Sequence, residues 1–242
     1  MKKASVSLFD YTIANTTLSQ VLKKFQSQDL NRFYRVVTLN PEIIIQCETN
    51  RGLKRIVQEA DLIIPDGIGL VFALKLLKNE SLTRITGMDL LLQILKKQTF
   101  SIFLVGSKLD TLNTAVSAIQ KRYPNLNVKG FHHGYFNKDQ EQDLLASIQK
   151  LKPDIILCGM GFPKQELFLF KLSKQIPRGI GIGVGGAFDV LSGNKQRAPK
   201  WIQKIGLEWF FRAIIEPKRF SRLRFIFPYF HLILRYYFKR SS

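Results

Sequence analysis

The sequence predicts an α/β fold: a Rossmann-like, mainly parallel sheet with helices on both faces. Short runs of apolar residues recur along the 242 residues, and longer stretches with helical spacing separate them. We predict strands at 34–39, 62–64, 102–105, 127–130, 155–158 and 179–184. Because strands that alternate with helices favour a parallel sheet, ligands are expected at the carboxyl ends of the strands.

The stretches between these strands have the spacing of amphipathic helices. Leu70, Leu74 and Leu77 form one apolar stripe with a period close to that of a helix. Asp110 and Asn137 precede two further periodic stretches, so we predict them as helix N-caps. The intervals between the predicted strands are therefore expected to be helical.

The charge balance indicates an anionic partner. The chain has 37 Lys and Arg against 18 Asp and Glu, a formal net charge of +19. This surplus favours nucleic acid, an anionic membrane or phosphorylated substrates. Hydrophobic residues make up 45% of the chain, which argues against disorder. Cys47 and Cys158 each lie in an apolar run, so we predict two buried free thiols in a reducing compartment.

The composition changes near residue 200, which divides the chain into a predicted α/β domain at 1–199, the catalytic domain of any enzyme here, and an appendage at 200–242. From Pro217 onward there are seven Lys or Arg, eight Phe or Tyr, and no Asp or Glu. This pattern is typical of an interfacial membrane segment, of a nucleic-acid-binding segment, or of an ordinary helix with a basic face. The isoleucines and leucines of the appendage favour the membrane, because a nucleic-acid groove offers little to them.

The longest late apolar stretch, 225–238, is too short to span a bilayer, and the N-terminus shows no secretory signal. We therefore expect a cytoplasmic protein that is peripheral on the inner face of the plasma membrane.

Polar residues follow two of the predicted strands. Thr38 and Asn40 end the strand at 34–39, where they suit ligand binding, although Asn40 before Pro41 equally suits a helix N-cap. Asp66 follows the strand at 62–64 in a Pro-Asp-Gly sequence. That sequence favours a turn, but a carboxylate at this edge of a sheet also suits a general base.

Two glycine-containing clusters follow later strands. Gly161 and Gln165 lie in a predicted strand-to-helix turn. Such a turn either binds a phosphate or has a purely structural role. Residues 181–186 contain G-x-G-x-x-G, a motif of dinucleotide-binding sites, so a nicotinamide-dependent oxidoreductase is one alternative function. The context disfavours it, because in such sites the glycines follow the strand, whereas the first glycines here lie inside it. Arg84 is a candidate for binding a phosphate, and the alternative is that it is an ordinary surface arginine. No D-x-D pair follows a strand, so a metal-held nucleotide is not indicated.

In series, these segments resemble the WecG/TagA/CpsF family of glycosyltransferases. The matching segments are TLN at 38–40, ADLIIPDG at 60–67, GMD at 87–89, FLVG at 103–106, HGYF at 133–136, GFPKQE at 161–166, GVGGAFD at 183–189, RAP at 197–199 and GLEW at 206–209, followed by Arg212 and 216–217. The resemblance implies an inverting transfer of a hexose from a UDP-sugar to an undecaprenyl-diphosphate-linked sugar in surface polysaccharide biosynthesis. The hexose would be N-acetylmannosamine or its uronic acid.

The resemblance also implies roles for individual residues. Asp66 is the expected catalytic base. The expected donor-binding residues are Thr38, Asn40, Arg84, Gly106, Gly161, Gln165, Gly185 and Gly186. The expected ligands of the acceptor diphosphate are Arg212, Arg219, Arg222 and Arg224. We expect no metal cofactor and no nucleic-acid partner, and leave a homo-oligomer open. A non-catalytic basic binding module is the second alternative to the enzyme.

Overall fold

The computed structural model describes residues 4–27, 32–216 and 220–241. Its strands are β1 Ser5–Leu8, β2 Tyr11–Ala14, β3 Phe33–Leu39, β4 Leu62–Pro65, β5 Ile102–Gly106, β6 Val128–His132, β7 Ile155–Gly159 and β8 Gly179–Gly183. Its helices are α1 Leu18–Ser27, α2 Pro41–Glu48, α3 Arg51–Gln58, α4 Ile68–Lys78, α5 Gly87–Lys97, α6 Leu109–Arg122, α7 Lys138–Leu151, α8 Lys164–Gln175, α9 Ala187–Leu191, α10 Lys200–Lys204, α11 Glu208–Ile215, α12 Phe220–Leu223 and α13 Ile226–Ser241.

Within the described residues, the strands form one eight-stranded sheet in the order β1-β2-β4-β3-β8-β7-β5-β6. β1 and β2 pair antiparallel, and the other neighbours pair parallel. The predicted mainly parallel sheet is confirmed, and each of the six predicted strands lies within two residues of an observed one. The carboxyl ends of β4, β3, β8, β7 and β5 therefore meet at one edge of the sheet.

The β1–β2 hairpin is the part of the sheet that the sequence analysis did not predict. Phe9 and Asp10 form its two-residue turn, and both have positive φ, 50° and 67°. Two-residue hairpin turns of this type usually contain Asn-Gly or Asp-Gly, because glycine adopts positive φ without strain. Phe9 is buried against the aromatic rings of α13, Tyr229 and Tyr236, at centroid distances of 6.1 and 4.8 Å. Tertiary packing thus stabilises a turn that its local sequence does not indicate.

Helices cover both faces of the sheet, as predicted. On one face, α1, α5, α6 and α9 pack on side chains such as Val36, Ile64 and Leu157. On the other face, α2, α4 and α13 pack on Val37 and Ile63. The α7 and α8 helices cover the remaining strands of that second face. Because successive strand residues point to opposite faces, strands buried on both sides appear in the sequence as continuous apolar runs.

One predicted helix cap is confirmed and another is wrong. Asn137 accepts a hydrogen bond from the N–H of Gln140, whose side chain accepts one from the Asn137 N–H in return, a capping box. The α6 helix begins after Lys108, and Asp110 lies inside its first turn, where a carboxylate favours the helix dipole without capping. The two cysteines are buried free thiols, as expected.

The described part of the appendage packs on the rest of the chain. Tyr229, Leu232 and Ile233 of α13 are buried in the core shared with α2 and α4. The Tyr229 hydroxyl donates a hydrogen bond to the Gly69 carbonyl at 3.2 Å. The division at 199/200 stays a prediction, and α13 nevertheless buries one face against the catalytic domain. Across the ranges described, the helices are too short or too polar to cross a membrane.

Candidate active site at the carboxyl ends of the strands

Asp66 lies at the carboxyl end of β4, where its backbone is fixed by the neighbouring strand. Its N–H donates to the Leu39 carbonyl at 2.8 Å, and its side chain is half-buried. A Cβ added to the next residue, Gly67, would lie 3.9 Å from the Asn40 Cβ. The backbone directly after Asp66 thus lies against Asn40, where the adjacent strands β4 and β3 end. The carboxylate has the position that a general base for a ligand at this edge requires, and the role of Asp66 stays a prediction.

Thr38 and Asn40 both have structural partners at this edge. The Thr38 hydroxyl, which is buried, donates to the Gly183 carbonyl of β8 at 3.4 Å. Asn40 Oδ1 accepts from the Ile43 N–H at 3.0 Å, with Pro41 in the first turn of α2. Asn40 is therefore an N-cap, one of the two alternatives that its sequence left open. The cap also fixes the direction of this side chain beside Asp66.

Gln165 connects two turns of the site from beneath. Its side chain is only 3% exposed. Oε1 accepts two backbone hydrogen bonds, from the Gly161 N–H at 3.1 Å and from the Gly185 N–H at 3.0 Å. Nε2 donates to Glu166 Oε1 at 3.0 Å. Gln165 stays a predicted donor-site residue, but these contacts make it a positioning residue that holds the β7–α8 turn to the β8–α9 turn.

The two glycines that Gln165 holds have an open side. Gly161 and Gly185 have φ of +75° and +54°, a conformation that favours glycine, and a Cβ at either would have no atom within 4 Å. A ligand therefore has room to approach both turns closely. Their N–H groups donate to Gln165, so a ligand that approaches these turns meets their open side, and the donor-binding role of Gly161 and Gly185 stays a prediction.

Glu166 is a buried acid that the sequence analysis gave no role. Its side chain is 2% exposed, and Oε2 has no hydrogen-bond partner among the described residues. Burial raises the pKa of Glu166 to about 7, while the hydrogen bond from Gln165 and the charge of Arg35 act in the opposite direction. The signal available in the sequence was a glutamate on the apolar face of α8, next to Gln165. A Cβ at Gly183 would collide with both side chains, at 2.4 and 2.9 Å.

The other two predicted donor glycines lie at the same edge. A Cβ at Gly106 would lie 2.4 Å from the Gly159 carbonyl oxygen, so the ends of β5 and β7 approach closely only with glycine there. Gly186 precedes α9 as its N-cap residue. Beside these exits is a cavity of about 550 Å³, lined by the loop after β6 and the start of α8. Its charged wall residues are Lys138, Lys164 and Glu141, and the Glu141 carboxylate pairs with Lys171 at 2.6 Å.

Arg84 contacts the appendage. Its Nη2 donates to the Gln203 carbonyl of α10 at 2.7 Å. The loop that carries it is fixed at the end of β4, because the Ile85 N–H donates to the Pro65 carbonyl at 2.9 Å. The predicted phosphate contact of Arg84 stays a prediction, and the structure gives its guanidinium a role in attaching α10 to the site.

Charged contacts attach the loop before α10 to α5, to α9 and to Glu216 after α11. Arg197 pairs with Asp89, which also accepts a hydrogen bond from the Thr86 hydroxyl at 2.7 Å. Lys195 pairs with Asp189 at 3.2 Å and with Glu216 at 3.0 Å. Sequence reasoning missed the pair of Arg197 with Asp89 because the two residues lie 108 positions apart in the chain.

Of the four predicted acceptor arginines, the structure describes the side chain of Arg224. Arg219 lies outside the described residues, and Arg212 and Arg222 lie in α11 and α12 with side chains that are not described. The Arg224 guanidinium lies over the Phe225 ring at 4.9 Å. Their role with a diphosphate stays a prediction. In the parts of the chain that the structure covers, His, Cys, Asp and Glu do not gather in groups of three that would hold a metal ion.

Comparison with known proteins connects this site to a family. The model of the family described as "Glycosyl transferase WecG/TagA/CpsF family" matches residues 6–242. A relative from Bacillus subtilis (strain 168) is 37% identical over 204 residues, which cover 83% of this chain and 78% of the relative. A relative from Staphylococcus aureus (strain NCTC 8325 / PS 47) is 35% identical over 230 residues, which cover 92% and 89%. Both are named N-acetylglucosaminyldiphosphoundecaprenol N-acetyl-beta-D-mannosaminyltransferase.

Proposed function

Since this chain belongs to the WecG/TagA/CpsF family and is a glycosyltransferase, we propose that it transfers N-acetylmannosamine from a UDP-sugar to undecaprenyl-diphosphate-linked N-acetylglucosamine. The names of the two relatives support this acceptor and this sugar over the uronic acid. The observation that carries the proposal is Asp66, held beside Asn40 at the edge where the two glycine turns open. The oxidoreductase alternative has no support in the family, and the G-x-G-x-x-G segment leads only into the five-residue helix α9.

The chemistry follows from where charge moves in an inverting transfer. The acceptor hydroxyl attacks the anomeric carbon as UDP leaves from the opposite side, and the hydroxyl proton passes to a base. The Asp66 carboxylate accepts that proton. Positioned general bases contribute about 10²–10⁴ in rate.

The leaving diphosphate needs positive surroundings as its charge develops. The start of α8 lies beside the open glycine turns and carries Lys164. Helix N-termini and lysines both favour a phosphate. The cavity of about 550 Å³ next to these turns gives the donor nucleotide a place with Lys138 and Lys164 in its wall. We therefore assign the β7 and β8 exits to the donor and the β3 and β4 exits to the reacting centre.

The membrane location completes the proposal, because an undecaprenyl acceptor remains in the lipid. The outward side of α13 carries Phe227, Phe230 and Leu234 as exposed side chains. Arg235 and Lys239 on the same helix are exposed as well. Aromatic and aliphatic side chains among basic ones favour an anionic membrane interface. We place the protein as a peripheral enzyme on the inner face of the plasma membrane.

The test is acceptor-dependent release of UDP from a panel of UDP-sugars. We expect turnover with UDP-N-acetylmannosamine and a lipid-diphosphate-linked N-acetylglucosamine. The Asp66→Asn variant should lose about 10²–10⁴ in rate while it still binds UDP. Asp139→Asn, an exposed acid at the start of α7, is the matched control and should keep the wild-type rate. Wild-type turnover by Asp66→Asn would refute the base, and a panel with no acceptor-dependent turnover would refute the substrates.

A further inference from the structure

We propose that α4 of the catalytic domain belongs to the same lipid-binding surface as the appendage, with Phe72 and Leu76 entering the membrane interface. The inference rests on the proposed membrane association and assigns it a second element. Phe72 is 52% exposed and Leu76 47% exposed. Together with Ile68 they are spaced four residues apart, so the three side chains form one row along the helix.

The row on α4 is continuous with the appendage. A Cβ at Gly206, in the turn between α10 and α11, would lie 2.6 Å from the Ile68 Cβ, so this turn lies directly against the first residue of the row. Next to it, the Tyr229 hydroxyl of α13 donates to the Gly69 carbonyl at 3.2 Å. The first turn of α4 is therefore contacted both by the α10–α11 turn and by α13. Phe72 lies one helical turn beyond Ile68, the residue of the row that the appendage contacts.

The charges around the row match an anionic lipid surface. On α4, Lys75 and Lys78 are exposed beside Phe72 and Leu76. Residues 68–78 and 199–205 contain no Asp or Glu. On α10, Lys200 and Lys204 are exposed together with Trp201 and Ile205. Rows of large apolar side chains flanked by lysines are typical of helices that lie in the membrane interface.

A second copy of the chain is a poorer occupant of this surface. A two-fold contact places the same patch on both subunits, so the lysines of α4 and α10 would face lysines. Like charges brought together at an interface disfavour association. Anionic headgroups instead neutralise them.

The position of α4 links this surface to the reaction. The helix begins at Ile68, two residues after Asp66. If α4 lies at the membrane interface, the base is held close to the headgroup layer, where the diphosphate of a lipid-linked acceptor lies. An acceptor therefore needs to rise only a short distance to reach Asp66.

Sedimentation with vesicles of phosphatidylglycerol and phosphatidylcholine tests the inference. We expect the double variant Phe72→Ser, Leu76→Ser to bind these vesicles about tenfold or more weakly than wild type, with unchanged affinity for UDP. Leu109→Ser, an exposed leucine at the start of α6, is the matched control and should bind as wild type does. The variant Phe227→Ser, Phe230→Ser tests the appendage in parallel.

Each outcome separates the inference from the function on which it rests. If the α13 variant loses vesicle binding while the α4 variant binds as wild type does, the role of α4 is refuted and membrane association stands. If wild type does not bind these vesicles, the proposed location is refuted as well. If the α4 variant changes only the oligomeric state in ultracentrifugation, the surface is an interface between copies and the lipid assignment is wrong. The Asp66→Asn assay with a short-chain acceptor tests the chemistry independently of all three.

Discussion

Replacing Gln165 by methionine removes a side chain that three hydrogen bonds hold in place, with little change in volume. The Gly161 and Gly185 N–H groups lose their acceptor, and Glu166 Oε1 loses its donor. An unsatisfied buried donor costs about 1–3 kcal/mol, so two of them give a range of about 2–6 kcal/mol. Both glycines are only half-buried, so leaving their N–H groups unpaired costs less than it would for fully buried groups. We therefore expect a loss at the lower end, about 2–3 kcal/mol.

This loss should appear in two measurements. Urea unfolding should show reduced stability, and calorimetric titration with UDP should show weaker binding, because the donor approaches the two turns that Gln165 holds together. The control is Gln175→Met at the exposed end of the same helix, which should change neither quantity. If Gln165→Met is as stable as wild type and binds UDP equally well, the hydrogen bonds of Gln165 do not position the site.

Three further substitutions probe other contacts. The pKa of Glu166, raised from 4.5 to about 7, means that the folded chain retains a proton that the unfolded chain releases. The free energy of unfolding should therefore fall by up to about 3 kcal/mol as the pH rises from 5 through 7. In urea unfolding, Glu166→Gln should show a flatter pH dependence than wild type. Gly206→Ala should lower the melting temperature more than Gly193→Ala. Both glycines have φ near +80°, but only a Cβ at Gly206 would collide with a neighbour, Ile68. Equal losses of melting temperature would contradict this contact. Arg197→Met should cost about 1–2 kcal/mol in urea unfolding, and Arg55→Met, in a more exposed pair, under about 0.5. The reverse order would refute the importance of the less exposed pair.

The central strands could be predicted from the sequence because burial on both faces leaves a local signature. Residues 102–106 and 155–159 are apolar throughout apart from their final glycines, so neither the strand nor its direction needed tertiary information. The β1–β2 hairpin lacks such a signature. Its strands have four residues each, and its turn depends on Phe9 packing against a helix that comes more than two hundred residues later.

In the candidate site, too, some residues could be predicted from the local sequence and others could not. Polar residues directly after a strand, such as Asp66 and Asn40, could be assigned to the carboxyl edge from their position alone. The contacts of Gln165 could not, because they depend on which turns the strand order β3-β8-β7 brings together. Similarly, Arg84 and Gln203 are 119 residues apart, and no local pattern indicates that they meet.

The two halves of the site are held by different kinds of contact, and this difference has a physical consequence. On the proposed donor side, Gln165 holds its two turns through hydrogen bonds between uncharged groups, on which salt acts little. On the acceptor side, the appendage is attached partly through ion pairs such as Lys195 with Glu216, whose side chains are 33% and 19% exposed. Pairs of this exposure weaken as salt rises. Raising the salt concentration should therefore loosen the appendage before it disturbs the two turns that Gln165 holds. On the proposed membrane surface, the appendage is accordingly the part of the site whose structure we expect the lipid to change most.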